Sequence, residues 1–275
     1  HLRAFWADPW LFGRITAIHA LGDIWAMGAR PQAALAQITL PQLSDDLQER
    51  WLTEIMAGAA EVFVAEGAAI VGGHSTQGAE FTLGFTVTGL PQATRLADAA
   101  PKAGDALVLT KPLGSGTLLA AEMRGAAGGD DIEHMLRIMA TPQGDAAVVL
   151  AAKARAMTDI TGFGLAGHAA RRVAPFELSG DIELDAIPLY PGAETLAGDG
   201  IRSPLWQANR EAVRFEGPGS PRSALLFDPQ TAGGLLAAVP ADHAAALTEA
   251  IRAMGHNCAV IGHITARADS DVTAR

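Results

Sequence analysis

The sequence predicts a mixed α/β or α+β fold in two domains, and three observations predict it. Short apolar runs of strand length alternate with segments whose apolar residues recur at three- and four-residue steps, the pattern of strands packed against helices. The 275 residues are 49% hydrophobic and only 18% charged, so the chain can bury a large core and has room for an oligomer interface. A polar, turn-rich stretch at residues 91–105 (PQATRLADAAPKAGD) interrupts the alternation and divides the chain into domains 1–92 and 93–275.

The elements follow in order. Asp8-Pro9 starts a helix, with Asp as N-cap and Pro in the first turn, and Phe12, Ile15, Ile18, Leu21 and Trp25 give it one apolar face that Gly28 closes. Residues 33–40 (AALAQITL) read as a strand stopped by Pro41. Ser44 caps a second helix with Leu47, Trp51, Ile55, Ala59 and Val62 along it, and Gly67 ends it. Strands at 69–72 and 81–88 complete the first domain. In the second, a strand at 106–110 leads into a long helical stretch that runs through Ala156. The glycine-rich segment 158–167 opens another helix, and 177–184 reads as a strand. Residues 186–223 are loop-rich. Strands at 225–227 and 235–239, a helix at 241–254 and a last strand at 259–264 follow.

The charge pattern excludes some functions. The net charge is −10, with 30 acidic and 20 basic residues, and no basic stripe marks a nucleic-acid surface. An acidic protein takes a polyphosphate when a metal cation bridges carboxylate and phosphate. A single cysteine, Cys258, excludes an intrachain disulfide and a cysteine-rich metal site, and its apolar surroundings make it a buried structural thiol. No apolar run is long enough for a transmembrane helix, and no signal peptide is recognisable. The first residue is His1 rather than Met, so the chain is expected to be a piece of a longer one.

Several segments carry candidate chemistry. Asp23 (GDIWAMGARP) lies inside the first helix and is either a partly exposed helical acid or a carboxylate ligand for Mg²⁺. Gly72-Gly73-His74-Ser75 follows a strand; it is either an ordinary Gly-Gly turn or an anion-binding turn in which backbone N–H groups are joined by the His74 and Ser75 side chains. Asp159 opens DITGFGLAGH, an acid followed by small residues and a helix start, which suits phosphate plus metal; the alternative is a capped helix with Thr161 as N-cap. Neither a Walker A loop nor a dinucleotide fingerprint is present. Asp228-Pro229 through Gly233-Gly234 reads as loop punctuation before a strand. Lys111 is either a phosphate contact or a solvated lysine. The eight histidines show no zinc-ligand spacing.

Taken together and in order, GRITAIHALGDIWAMGARP, VGGHSTQ, FTVTG, LTKPLGSG, AMTDITGFGLAGH and DPQTAGGLL resemble selenophosphate synthetase (selenide, water dikinase), a member of the aminoimidazole ribonucleotide synthetase-like fold group. The resemblance runs from about Asp8 to about Ile264, and its most specific parts are DITGFGLAGH and DPQTAGGLL. It implies two α/β domains, the first incomplete and dimerising through β-strands. It implies synthesis of selenophosphate from ATP, selenide and water, with release of AMP and phosphate and with Mg²⁺ as cofactor, in a cytoplasmic homodimer. By this resemblance Asp23 and Asp159 are metal carboxylates, Asp23 also contacts ATP, and Gly73, His74 and Ser75 are nucleotide contacts. The resemblance places the family's reactive Cys or selenocysteine and its Lys upstream of His1, so no catalytic residue is assigned in this chain and full activity is not expected of it. Some relatives carry a flavin- and NADH-dependent dehydrogenase-like module upstream. The competing expectations are a sibling enzyme of the same fold, of the aminoimidazole ribonucleotide synthetase, thiamine monophosphate kinase or hydrogenase-maturation type, or a non-catalytic nucleotide-binding dimerisation module.

Overall fold

The helix that carries Asp23, α1 (Pro9–Ala26), lies between two β-sheets, and its position decides where the chemistry can be. Asp8 caps it through its carboxylate, which accepts a hydrogen bond from the Leu11 amide at 3.0 Å, and Gly28 follows its end with φ +63°. The computed structural model describes residues 1–92, 96 and 99–275. Residue 93, where the expected second domain begins, lies outside the described residues.

The first sheet has four strands in the order β1 (Leu2–Arg3), β4 (Thr82–Pro91), β2 (Ala29–Leu40) and β3 (Ala69–Gln77). β4 runs antiparallel to β1 and β2, while β3 runs parallel to β2. The period-two alternation of β2 buries Ala34, Ala36, Ile38 and Leu40 and leaves Leu35 and Gln37 outside. The buried face is covered by α1 and α2 (Asp45–Ala65), with Phe12 and Ile55 packed on Ile38 and Leu83. These two helices touch backbone to backbone: a Cβ at Gly13 would fall 2.3 Å from the Ile55 carbonyl oxygen, and one at Gly58 would fall 2.0 Å from that of Trp10.

The second sheet has seven strands, β6 (Ala156–Asp159), β9 (Leu235–Val239), β5 (Ala106–Leu109), β10 (Ala259–Ala266), β7 (Leu178–Ile182), β11 (Val272–Ala274) and β8 (Phe215–Glu216), in that spatial order. β5, β6 and β9 are buried along their whole length because helices cover both faces. One face packs on α3 (Ser115–Glu122), α4 (Gly129–Met139), α5 (Gly144–Ala151) and α10 (Ala241–Ala253), and the other on α6 (Gly164–Val173). The core under α3–α5 continues into Ile15, Ile18, Leu21 and Trp25 of α1, so the halves share apolar packing.

The structure corrects several sequence expectations. The long helix is three, broken at Gly128-Gly129 and at Pro142, and it stops before Ala156, which begins β6. Residues 225–227 form a 3-10 turn rather than a strand, following directly on α9 (Pro221–Ala224). The loop-rich region also holds α7 (Ala193–Gly198) and α8 (Trp206–Glu211), each too short to show a periodicity. β1, β8 and β11, of two or three residues, were not expected.

Candidate metal and nucleotide site

Asp159 is the last residue of β6, where its backbone pairs with Leu235 of β9. It is buried, and it lies against α1 at Gly22: a Cβ built on Gly22 would be 2.8 Å from Asp159 Oδ2 and 3.2 Å from its Cβ. Glycine in a helix interior costs about 1 kcal/mol relative to alanine, and here its missing side chain is the space that the carboxylate occupies. The next residue is Asp23, which is exposed. Two carboxylates 136 residues apart in sequence are thus brought to one edge of the interface between the halves. Burial, and then the charge of Asp23, push the Asp159 carboxyl up to about 7, against a partial counter-effect from Arg172. Such a pair is costly to keep doubly ionised unless a cation joins it. Two hard oxygen donors suit Mg²⁺, which takes one or two protein carboxylates and fills its remaining positions with water and phosphate oxygens. Among the described residues no group of three His, Cys, Asp or Glu side chains forms a fuller metal cage.

Beyond Asp159 the chain turns through Thr161, Gly162 and Phe163 into α6, whose first residue, Gly164, has φ +69°. Thr161 does not cap this helix, contrary to one sequence reading; Phe163 occupies the N-cap position. The Thr161 amide instead donates to His168 Nε2 at 3.1 Å. Burial, with Arg171 and Arg172 nearby, lowers His168 to about 4, so its imidazole is a neutral acceptor that holds the turn.

The Gly73-His74-Ser75 segment is not a turn. It continues β3 as an exposed edge strand, in register with Ala36, Gln37 and Ile38 of β2, after an irregularity opposite Ala34 and Leu35. The glycine expected in a turn serves close approach: Gly73 has φ +155°, and a Cβ there would fall 2.1 Å from the Ala36 carbonyl oxygen. Among the described residues no hydrogen bond joins Gly73, His74 or Ser75 to Asp23 or Asp159, so the structure brings the two acids together and leaves this segment on the outer sheet edge.

Lys111 is neither solvated nor exposed to phosphate. It is buried, donates from Nζ to the carbonyls of Ala232 at 3.1 Å and Met139 at 3.4 Å, and is lowered to about 7 by burial. The 228–234 loop is more than punctuation. Asp228, fully buried, accepts from Thr117 Oγ1 at 2.8 Å and the Gly116 amide at 3.0 Å, while Gln230 Oε1 accepts from the amides of Gly114 and Ser115. The same loop holds the Asp159 segment, because Ile160 N donates to Gly234 O at 2.8 Å and Gln230 N to Thr161 O at 3.0 Å. An Asp-Pro-Gln run followed by Gly-Gly was the only sequence signal for this network. Elsewhere, a cleft of about 470 Å³ at the C-terminal end of α1 is lined by Trp25, Arg30, Glu66 and Asp145, and neither Asp23 nor Asp159 reaches it.

Comparison with known proteins adds a lineage to this geometry. Residues 1–90 match the N-terminal domain and residues 102–275 the C-terminal domain of AIR synthase related protein. A selenide, water dikinase of Myxococcus xanthus is 39% identical over 269 residues, covering 94% of this chain and 75% of that protein. One of Geobacter metallireducens is 38% identical over 235 residues, covering 83% of this chain and 68% of that protein. Among solved structures, thiamine-monophosphate kinase from Stenotrophomonas maltophilia superposes with a TM-score of 0.73 at 22% identity, covering 99% of this chain and 82% of that one. The hydrogenase maturation protein HypE in complex with ATP superposes with a TM-score of 0.73 at 15% identity, covering 96% and 75%; at these identities the likeness is one of fold.

Proposed function

The chain belongs to the selenide, water dikinases of the AIR synthase related family, and from that membership we propose that Asp23 and Asp159 are the carboxylates that hold Mg²⁺ on the phosphates of ATP. The family's reaction is an ATP-dependent phosphotransfer in which selenide and water are the acceptors and selenophosphate, AMP and phosphate the products. Thiamine-monophosphate kinase and HypE share the fold, whereas the relatives at 38–39% identity carry the dikinase name.

The carrying observation is the contact between Asp159 and the backbone of Gly22, which places a buried acid beside Asp23. Bound Mg²⁺ neutralises phosphate charge during in-line transfer. The chain's own part is positioning. β6 fixes Asp159, the bare Gly22 backbone leaves it room, and α1 offers Asp23 from the solvent side. Burial and the neighbouring charge of Asp23 disfavour the ionised form of Asp159, and a cation held between the two acids would offset that cost. Cys258 is a poor candidate nucleophile: it is buried, and burial pushes its thiol up, away from the reactive thiolate.

The family resemblance alone assigns Gly73, His74 and Ser75 to nucleotide contact, since within the single chain they stand on the outer edge of the first sheet, apart from Asp23 and Asp159. That edge strand, with Val71 exposed on β3, and the adjoining outer face of the sheet, with Leu35 exposed on β2, make up the surface through which a homodimer would form. No helix among the described residues is long and apolar enough to cross a membrane; the cytoplasmic assignment rests on the family resemblance alone.

Calorimetric titration with Mg-ATP tests the reading. Asp23→Asn and Asp159→Asn are each expected to weaken binding by about tenfold or more, as the loss of a charge-assisted contact worth roughly 1.5–3 kcal/mol requires, while melting stays cooperative. Binding equal to that of the unsubstituted chain in both variants would overturn the metal assignment.

A further inference from the structure

His19 stands one helical turn before Asp23 on the same helix, and no sequence reading gave it a role. Its Nδ1 accepts a hydrogen bond from the Ala232 amide at 3.2 Å. Ala232 is buried and, although not glycine, has φ +47°. A left-handed conformation at such a residue costs about 1–2 kcal/mol and persists where surrounding bonds over-determine it. Both its polar groups are engaged from opposite sides, the amide by His19 and the carbonyl by Lys111 Nζ. Two residues on, the Gly234 carbonyl accepts from Ile160, the residue next to Asp159. A short run of backbone therefore joins the helix of Asp23 to the strand of Asp159, and the His19 bond is its link to the helix. Burial holds the His19 imidazole below its ordinary value, which keeps Nδ1 free to accept at neutral pH.

We propose that His19 is a positioning residue for the phosphotransfer: by holding the Ala232 amide it fixes the spacing of Asp23 and Asp159 across the two halves and thereby the geometry in which the cation and the phosphates are held. The proposal rests on the reading of those two acids as metal ligands. It assigns the 228–234 loop the task of a strap that transmits position from one carboxylate to the other, with the left-handed Ala232 held at its centre.

Two substitutions separate the hydrogen bond from the volume of the ring. An Asn side chain can put its Oδ1 where His19 has Nδ1, whereas Gln fills the space better and carries its acceptor one bond further out. Mg-ATP affinity is measured by calorimetry, and metal affinity alone by Mn²⁺ titration, for the unsubstituted chain and for His19→Ala, His19→Gln and His19→Asn, with melting of the metal-free proteins alongside. The expected order is His19 and Asn close together, with Gln and Ala weaker by about five- to tenfold, the loss of one hydrogen bond. A role in packing alone would make Gln at least as good as Asn, and that result, or unchanged affinity in the Ala variant, overturns the proposal. Should Ala fail to fold, the comparison of Asn with Gln decides alone. Asp23→Asn and Asp159→Asn are measured in the same series. If these bind as the unsubstituted chain does, or if that chain binds neither Mg-ATP nor Mn²⁺, the reading of the acids fails, and with it the strap's purpose; if they lose binding while His19→Ala does not, only the strap fails.

Discussion

At the scale of single residues, the account turns on side chains that are missing or misplaced by ordinary standards. Gly22 is the clearest. Alanine there improves helix propensity by about 1 kcal/mol, yet its methyl would stand 2.8 Å from Asp159 Oδ2. Gly22→Ala is therefore expected to leave the melting temperature within a few degrees of the original while weakening Mg-ATP binding several-fold, and calorimetry beside a thermal melt checks both. Lys111 gives a pH test. Its folded value of about 7 lies below the ordinary 10.5, so between these values the unfolded chain holds a proton that the folded chain lacks, and stability rises with pH across that window. Lys111→Met removes this term. Its stability relative to the original is expected to be most favourable below pH 7 and to decline towards pH 10, as read from urea midpoints at several pH values; a difference that does not change with pH would contradict the burial of a neutral lysine. Asp23 and Asp159 stand out in the sequence as candidates because one is an acid inside the first apolar helix and the other an acid followed by small residues and a helix start. Their convergence was not legible, since it depends on docking α1 against β6, which no local pattern encodes. His19 gave no signal beyond its spacing from Asp23.

At the scale of elements, length and periodicity explain what the sequence revealed. α1, α2 and α10 were recognisable from caps and repeated apolar steps, and the cores of β2, β5 and β9 from apolar runs. β3 was cut short because two adjacent glycines imitate a turn. Gly73 instead lets β2 approach, and the strand runs on to Gln77. Gly73→Val places a branched side chain at φ +155° and against the Ala36 carbonyl. It is expected to destabilise the protein by about 2 kcal/mol or more, measured as a lower urea midpoint, whereas an unchanged midpoint would argue that this strand is not held as described. The region 186–223 stayed opaque because helices of four to six residues have no period to detect.

At the scale of the whole molecule, α1 belongs to both halves: it covers the first sheet with one side and meets the helical layer and β6 of the second with the other. Among the described residues nothing covers the outer edge of the first sheet in this way, and Val71 on β3 is 64% exposed. The chain is expected to sediment as a dimer and Val71→Asp as a monomer at the same concentration; a variant that remains dimeric would place the interface elsewhere. The central claim is that one divalent cation is held between carboxylates contributed by the two halves. Crystals grown with Mn²⁺ and a non-hydrolysable ATP analogue test it most directly, through the anomalous signal of the metal. A peak is expected within about 2.5 Å of both the Asp23 and the Asp159 carboxyl oxygens, with phosphate oxygens completing the shell; a nucleotide-bound metal that touches neither side chain would contradict a shared cation.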